Sequence, residues 1–121
     1  MISGITFLGV RTARLAEMKK FCQEVLGLPI KHEEPEFVAF HAPNGDRIEL
    51  FGMDDPEHEL FNTGPVVGFD VPDIVEAHQH LQASGVELLS KICGNPQGRR
   101  WLHFRAPDGN VYEVTQCYRT S

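Results

Sequence analysis

Two glutamates occupy matching places in two copies of one short pattern. Residues 37–51 read Phe-Val-Ala-Phe-His-Ala-Pro-Asn-Gly-Asp-Arg-Ile-Glu-Leu-Phe, and residues 101–115 read Trp-Leu-His-Phe-Arg-Ala-Pro-Asp-Gly-Asn-Val-Tyr-Glu-Val-Thr. Aligned without a gap, Phe40 meets Phe104, Pro43 meets Pro107, Gly45 meets Gly109 and Glu49 meets Glu113. A carboxylate can move a proton as a general acid or base, or give hard oxygen ligands to a divalent cation. Repeated at one place in two copies, it points to a site built around a pseudo-twofold axis. The competing reading is a pair of solvent-facing strand glutamates. Histidine and arginine stand close by in both copies: His41 and Arg47 in the first, His103 and Arg105 in the second.

Each copy reads as a β-hairpin. A β-prone arm enters Ala-Pro-(Asn/Asp)-Gly, in which Pro presets φ and Gly supplies the positive-φ position, and a second arm leaves it. Ile48 and Leu50 flank Glu49, and Tyr112 and Val114 flank Glu113, so alternation sends the apolar neighbours to one face of the sheet and the glutamates to the other. Phe37, His41, Arg47, Phe51, Trp101 and Arg105 fall on the glutamate face by the same count.

Each hairpin ends a longer repeat. Ile5–Val10 reads as a strand, and Thr12 is placed to cap a helix with Leu15, Met18, Cys22, Val25 and Leu26 at helical spacing, closed by Gly27. A short strand, Leu28–Glu33, leads to the first hairpin. After a polar segment the order recurs. Pro65–Val71 is a strand, Asp73 with Glu76 forms a capping-box pattern, Ile74, Ala77 and Leu81 make an apolar stripe, and Gly85 closes the helix. Val86–Ile92 reads as the next strand before the second hairpin. The chain is therefore one α+β domain, 1–121, of two βαβββ modules (4–52 and 65–118) joined by a linker (53–64). A helix covers one face of each sheet, and the uncovered faces are expected to form a cupped sheet with a cleft.

Composition narrows the function. The 121 residues are 41% hydrophobic and 23% charged with a net charge of −6, as expected of an ordinary globular chain. Without a basic run it is a poor nucleic-acid binder, and no apolar stretch reaches the length of a membrane span. The N-terminus has no signal-peptide pattern, and three scattered cysteines, Cys22, Cys93 and Cys117, read as free thiols of a cytoplasmic protein. Cys22 reads as core rather than nucleophile, and His32, His58, His78 and His80 as solvent-facing.

Arg14-Leu15 with Phe21-Cys22-Gln23-Glu24-Val25-Leu26-Gly27-Leu28, and Pro107-Asp108-Gly109-Asn110-Val111-Tyr112-Glu113, resemble the helix and hairpin signatures of the vicinal oxygen chelate superfamily. That is the fold of glyoxalase I, bleomycin-resistance proteins and extradiol dioxygenases. The resemblance implies a divalent-metal site with one ligand, usually His, early in the first strand of each module and one Glu in each last strand. Glu49 and Glu113 match the last-strand positions. Phe7 and Val66 fall at the first-strand positions, and neither can ligate a metal. The position matching His103 points into the cleft in the family, which makes a Glu49–Glu113–His103 site the remaining metal candidate.

These residues lead to a small-molecule-binding protein, without cofactor and metal-independent. Its cleft, walled by Phe7, Phe37, His41, Arg47, Phe51, Val66, Trp101 and Arg105, would take a small aromatic or anionic ligand. Arg47 and Arg105 are alternatively expected to pair with Glu49 and Glu113. The alternative function is a glyoxalase- or dioxygenase-like enzyme using Glu113 and Glu49, with His103, as acid/base groups or metal ligands. A third reading is a structural domain whose cleft is filled by its own side chains. A homodimer is expected, because each module leaves sheet edges and one face to cover.

Overall fold

The computed structural model describes residues 1–117 and contains nine strands and two α-helices among them. The expected end of the second module at Tyr118 lies outside the described residues. The chain divides into two compact units, one running from Phe7 to Pro65 and the other combining Met1–Thr6 with the residues from Val66 onward.

The first unit takes β1 (Gly4–Arg11) from Phe7 on, its start at Gly4–Thr6 belonging to the other unit, with α1 (Leu15–Lys20), β2 (Ile30–Glu34), β3 (Phe37–His41) and β4 (Arg47–Phe51). β2, β3 and β4 are antiparallel neighbours, and β4 runs parallel to β1 with Gly9 opposite Glu49. One face of this sheet packs against α1. Val38, Phe40 and Leu50 lie there with Cys22, and Leu15 and Met18 close over them.

Thr12 does not cap α1 as a helix N-cap. Its Oγ1 accepts from the Arg14 amide at 3.0 Å, a local turn, and Arg14 itself is the cap residue. The helix also departs from one continuous stripe. Phe21–Val25 forms a π-turn in which the Leu26 amide reaches back to the Phe21 carbonyl at 3.1 Å. The extra residue in that turn rotates the positions C-terminal to it. Cys22 stays buried, while Val25 and Leu26 are 69% and 56% exposed. Gly27 ends the segment at φ 71°, as its sequence position predicts.

The second unit takes β5 (Val66–Asp70), α2 (Ile74–Ala83), β6 (Glu87–Leu88), β7 (Cys93–Gly94), β8 (Arg100–Arg105) and β9 (Val111–Gln116). β9 lies between β5, parallel to it, and β8, antiparallel. Asp73 Oδ1 accepts from the Val75 and Glu76 amides at 3.0 and 3.1 Å, the expected cap. Ile74, Ala77 and Leu81 are buried on Leu102 and Val114, so the predicted stripe is the packed one.

The two hairpin turns are built alike. Gly45 and Gly109 both sit at φ 90°, and their amides donate to Ala42 and Ala106 carbonyls at 2.8 and 2.9 Å. Asn44 and Asp108 side chains accept from the amides two residues on, at 3.0 and 3.1 Å.

One expectation fails here. Only Glu87–Leu88 of Val86–Ile92 is strand, β6, and the next strand, β7, comes after it at Cys93–Gly94; both pair with β8. The ladder breaks at Ser90, whose Oγ takes the place of a carbonyl and accepts from the His103 amide at 3.0 Å. The segment after β4 has local structure of its own. Pro56–His58 forms a 3₁₀ turn capped by Asp55, and Phe61 is 3% exposed.

Gly94 makes the sharpest backbone demand. At φ 96°, a Cβ there would lie 2.2 Å from the Arg99 carbonyl oxygen and 2.8 Å from Cζ3 of Trp101. Gly94→Ala is expected to lose at least about 2 kcal/mol in urea unfolding, because strain and clash act together. Gly109→Ala meets nothing within 4 Å and carries only the positive-φ strain, about 1 kcal/mol. Equal losses at the two positions would contradict the close packing at Gly94.

Candidate functional site

In both modules the last-strand glutamate lies on the helix-free face, opposite a first-strand glycine: Gly9 for Glu49 and Gly68 for Glu113. Phe7 and Val66 each stand two residues before that glycine, so they occupy equivalent places. Both glutamates are buried, 5% exposed for Glu49 and 4% for Glu113. A buried carboxylate needs a partner, and the two modules provide different ones.

In the first module the partner comes from the same strand. Arg47 Nε donates to Glu49 Oε2 at 2.6 Å, as the sequence predicts for this arginine. Ala39, the cross-strand neighbour of Glu49, has no polar group to offer. In the second module the cross-strand neighbour is His103, itself 3% exposed. Its Nε2 lies 2.8 Å from Glu113 Oε1, and since a carboxylate only accepts, Nε2 carries the proton of that bond. Thr115 Oγ1 donates to Glu113 Oε2 at 2.5 Å. His103, Glu113 and Thr115 thus form one buried hydrogen-bonded group.

Arg105 is not a partner of Glu113. It lies two positions nearer the turn, where the edge strand places Glu87 opposite it. Arg105 Nε donates to Glu87 Oε2 at 3.0 Å and its Nη1 to the Gly109 carbonyl at 2.8 Å. Reading Val86–Ile92 as one continuous strand hides that pairing in the sequence.

The aromatic candidates divide. Phe37 stacks on Phe51 with ring centroids 5.4 Å apart, and Phe51 in turn carries the His58 ring at 3.7 Å and 16°. Phe61 meets Phe51 edge-on at 5.5 Å. Phe7, Phe51 and Val66 are therefore core residues, 3%, 2% and 0% exposed. His58 is not solvent-facing as its surroundings in the sequence suggest. It is held by Asp55, Nδ1 to Oδ2 at 2.8 Å, and covers the ring its own segment folds back onto. His78 is half-buried, whereas His32 and His80 are exposed. Trp101 is half-buried, facing Thr115 and Cys93 in register, with its ring against Gly94. Burial pushes the Cys22 thiol above its ordinary pKa, so it remains a neutral core group.

Sequence reasoning missed a groove of about 460 Å³ on the helix side of the first module, lined in part by Ala16, Lys19, Glu33, Glu36 and Asp54. Lys19 pairs with Glu33 there. Desolvation, followed by the nearby Asp54 and then Asp55, raises the Glu36 carboxyl above the usual range. The contributing residues are far apart in sequence, which is why no local pattern marks the groove.

A family model described as the Glyoxalase/Bleomycin resistance protein/Dioxygenase superfamily matches residues 4–114, and the chain belongs to that superfamily. Among curated proteins, none matches the chain in sequence. Solved structures match its fold. One is methylmalonyl-CoA epimerase from Mycobacterium tuberculosis, with a TM-score of 0.77 at 19% identity over 98% of this chain and 90% of that one. A second is a member of the same superfamily from Vibrio splendidus 12B01, at 0.71 and 21% over 91% and 96%. A third is the Mn(II)-bound glyoxalase from Novosphingobium aromaticivorans, at 0.71 and 18%, covering 99% of this chain but 42% of that longer one.

The residues present do not fit a divalent ion of the kind that third protein holds. Each module offers one carboxylate, already bonded to Arg47 or to His103 and Thr115, and hydrocarbon at Phe7 or Val66. A hard cation wants several oxygen or imidazole ligands in a hydrated or polar setting. His103→Ala should destabilise the fold by about 3 kcal/mol in urea unfolding near neutral pH, because it leaves Glu113 buried beside Thr115 alone. Glu113→Gln keeps an acceptor and should cost clearly less. A neutral outcome for His103→Ala would mean that water reaches Glu113.

Proposed function

We propose that this superfamily member binds a small anionic or aromatic molecule on its helix-free sheet surface without a metal. One observation carries the reading: both buried glutamates are charge-balanced or hydrogen-bonded by side chains of their own module. Metal-dependent relatives use a cation to hold ligand oxygens. Here guanidinium and imidazole donors stand next to the carboxylates instead, and such groups recognise acids directly. Three free cysteines support a cytoplasmic setting. No helix among the described residues is long and apolar enough to cross a membrane.

A second reading draws on the buried His103–Glu113–Thr115 group. A carboxylate held by imidazole and hydroxyl donors is a candidate proton carrier, as glyoxalase- or dioxygenase-like chemistry would need, with Glu49 as the second acid or base.

Calorimetric titration with a panel of aromatic acids and their neutral amides tests both readings. The acids should bind, the amides should not, and prior treatment with EDTA should leave the affinity within about twofold, since a dispensable ion adds no binding energy. Loss of binding after EDTA would contradict the metal-free reading. Recovery of a chemically altered acid would move the enzyme reading first.

A homodimer is proposed as the working form, supported by the exposed apolar side chains Phe21, Val25 and Leu26. Sedimentation at micromolar concentration should give twice the chain mass, and a monomer would overturn this.

A further inference from the structure

At the turn end of the first hairpin stand donors that the fold itself does not use. His41 and Arg47 are direct cross-strand partners on β3 and β4, so their side chains stand together on the Glu49 face. Arg47 commits its Nε to Glu49, while its two terminal nitrogens have no partner among the described residues. The side chain as a whole is 28% exposed. His41 differs in that its Nε2 is buried and has no hydrogen-bond partner among the described residues. A buried ring nitrogen without a partner is uncommon in folded proteins and calls for an explanation.

The chemistry narrows the occupant. The guanidinium has donors only, and His41 Nε2 donates in the tautomer that carries its proton there. A planar fork beside a further N–H matches the two oxygens of a carboxylate, whereas a cation or a hydrocarbon leaves these donors unmet. Glu49 acts in two ways. It orients the guanidinium through Nε, and its charge offsets the long-range attraction of Arg47. Selectivity must then come from short-range hydrogen bonds.

The second module has no such arrangement. In the aligned hairpins His41 corresponds to Arg105 and Arg47 to Val111, and Arg105 is engaged by Glu87 and the Gly109 carbonyl.

We propose that His41 and Arg47 form a carboxylate-binding subsite in the first module, with Glu49 as the residue that positions the guanidinium. This rests on the small-molecule-binding reading and names where the acid group of that ligand sits. The test is a titration of protein labelled with ¹⁵N in its arginine and histidine side chains. Benzoate and phenylacetate are the probes, and benzamide is the neutral control. Both acids should move the Arg47 Nε and His41 ring signals saturably, and benzamide should not. His41→Ala should weaken benzoate binding roughly tenfold, the scale of one charge-assisted hydrogen bond, with His41→Gln recovering part of it through its amide donor. Because the labelled wild type reports directly, the outcome does not depend on either variant folding. If the acids bind but move only signals elsewhere, such as those of Arg105, the subsite is wrong while the binding reading stands. If neither acid binds, both are overturned.

Discussion

A carboxylate on an inner strand cannot be buried alone. Its desolvation exceeds what one or two apolar contacts return, so either the charge is met by a neighbouring donor or the strand pairing gives way. Glu49 and Glu113 both face this constraint, at equivalent places opposite Gly9 and Gly68. The surrounding residues of each hairpin reflect how it is met. Where the cross-strand position is Ala39, the donor comes from Arg47 on the same strand. Where it is His103, imidazole and the Thr115 hydroxyl take both oxygens. One duplicated module has thus been completed in two chemically distinct ways, with a permanent cation in the first and a buried hydrogen-bonded group in the second.

Much of this is legible in the sequence, for local reasons. Ala-Pro-(Asn/Asp)-Gly dictates its own turn through Pro, a side-chain acceptor and a positive-φ glycine, and both turns form with matching hydrogen bonds. Asp73 caps α2 and the stripe Ile74, Ala77, Leu81 packs, because cap and period agree. Strict alternation along β4 and β9 is enough to set both glutamates apart from the apolar core. The resemblance to the vicinal oxygen chelate superfamily, carried by two short signatures, is upheld by the family match over residues 4–114.

The features that are not legible depend on contacts distant in sequence. The π-turn at Phe21–Val25 has the residues of an ordinary helix, with Cys22 packed in the core of its module. Val86–Ile92 has the composition of a strand, yet only Glu87–Leu88 pairs as one, and past it a serine hydroxyl at Ser90 accepts from the His103 amide. Without the register of that edge strand the Arg105–Glu87 pair is invisible. His58 lies among polar residues, so nothing nearby announces that its ring will lie on Phe51. Phe7 and Phe51 have the character of walls for a ligand, but the fold buries both among its own side chains.

Native mass spectrometry of the purified protein, without added metal, tests the central claim most directly, because it weighs chain, ion and retained ligand together. Glutamates satisfied by Arg47, His103 and Thr115 predict a mass free of divalent metal, alone or with an organic acid bound. About one metal ion per chain that survives dialysis would contradict the account, because the carboxylates would then have given up these partners for an ion.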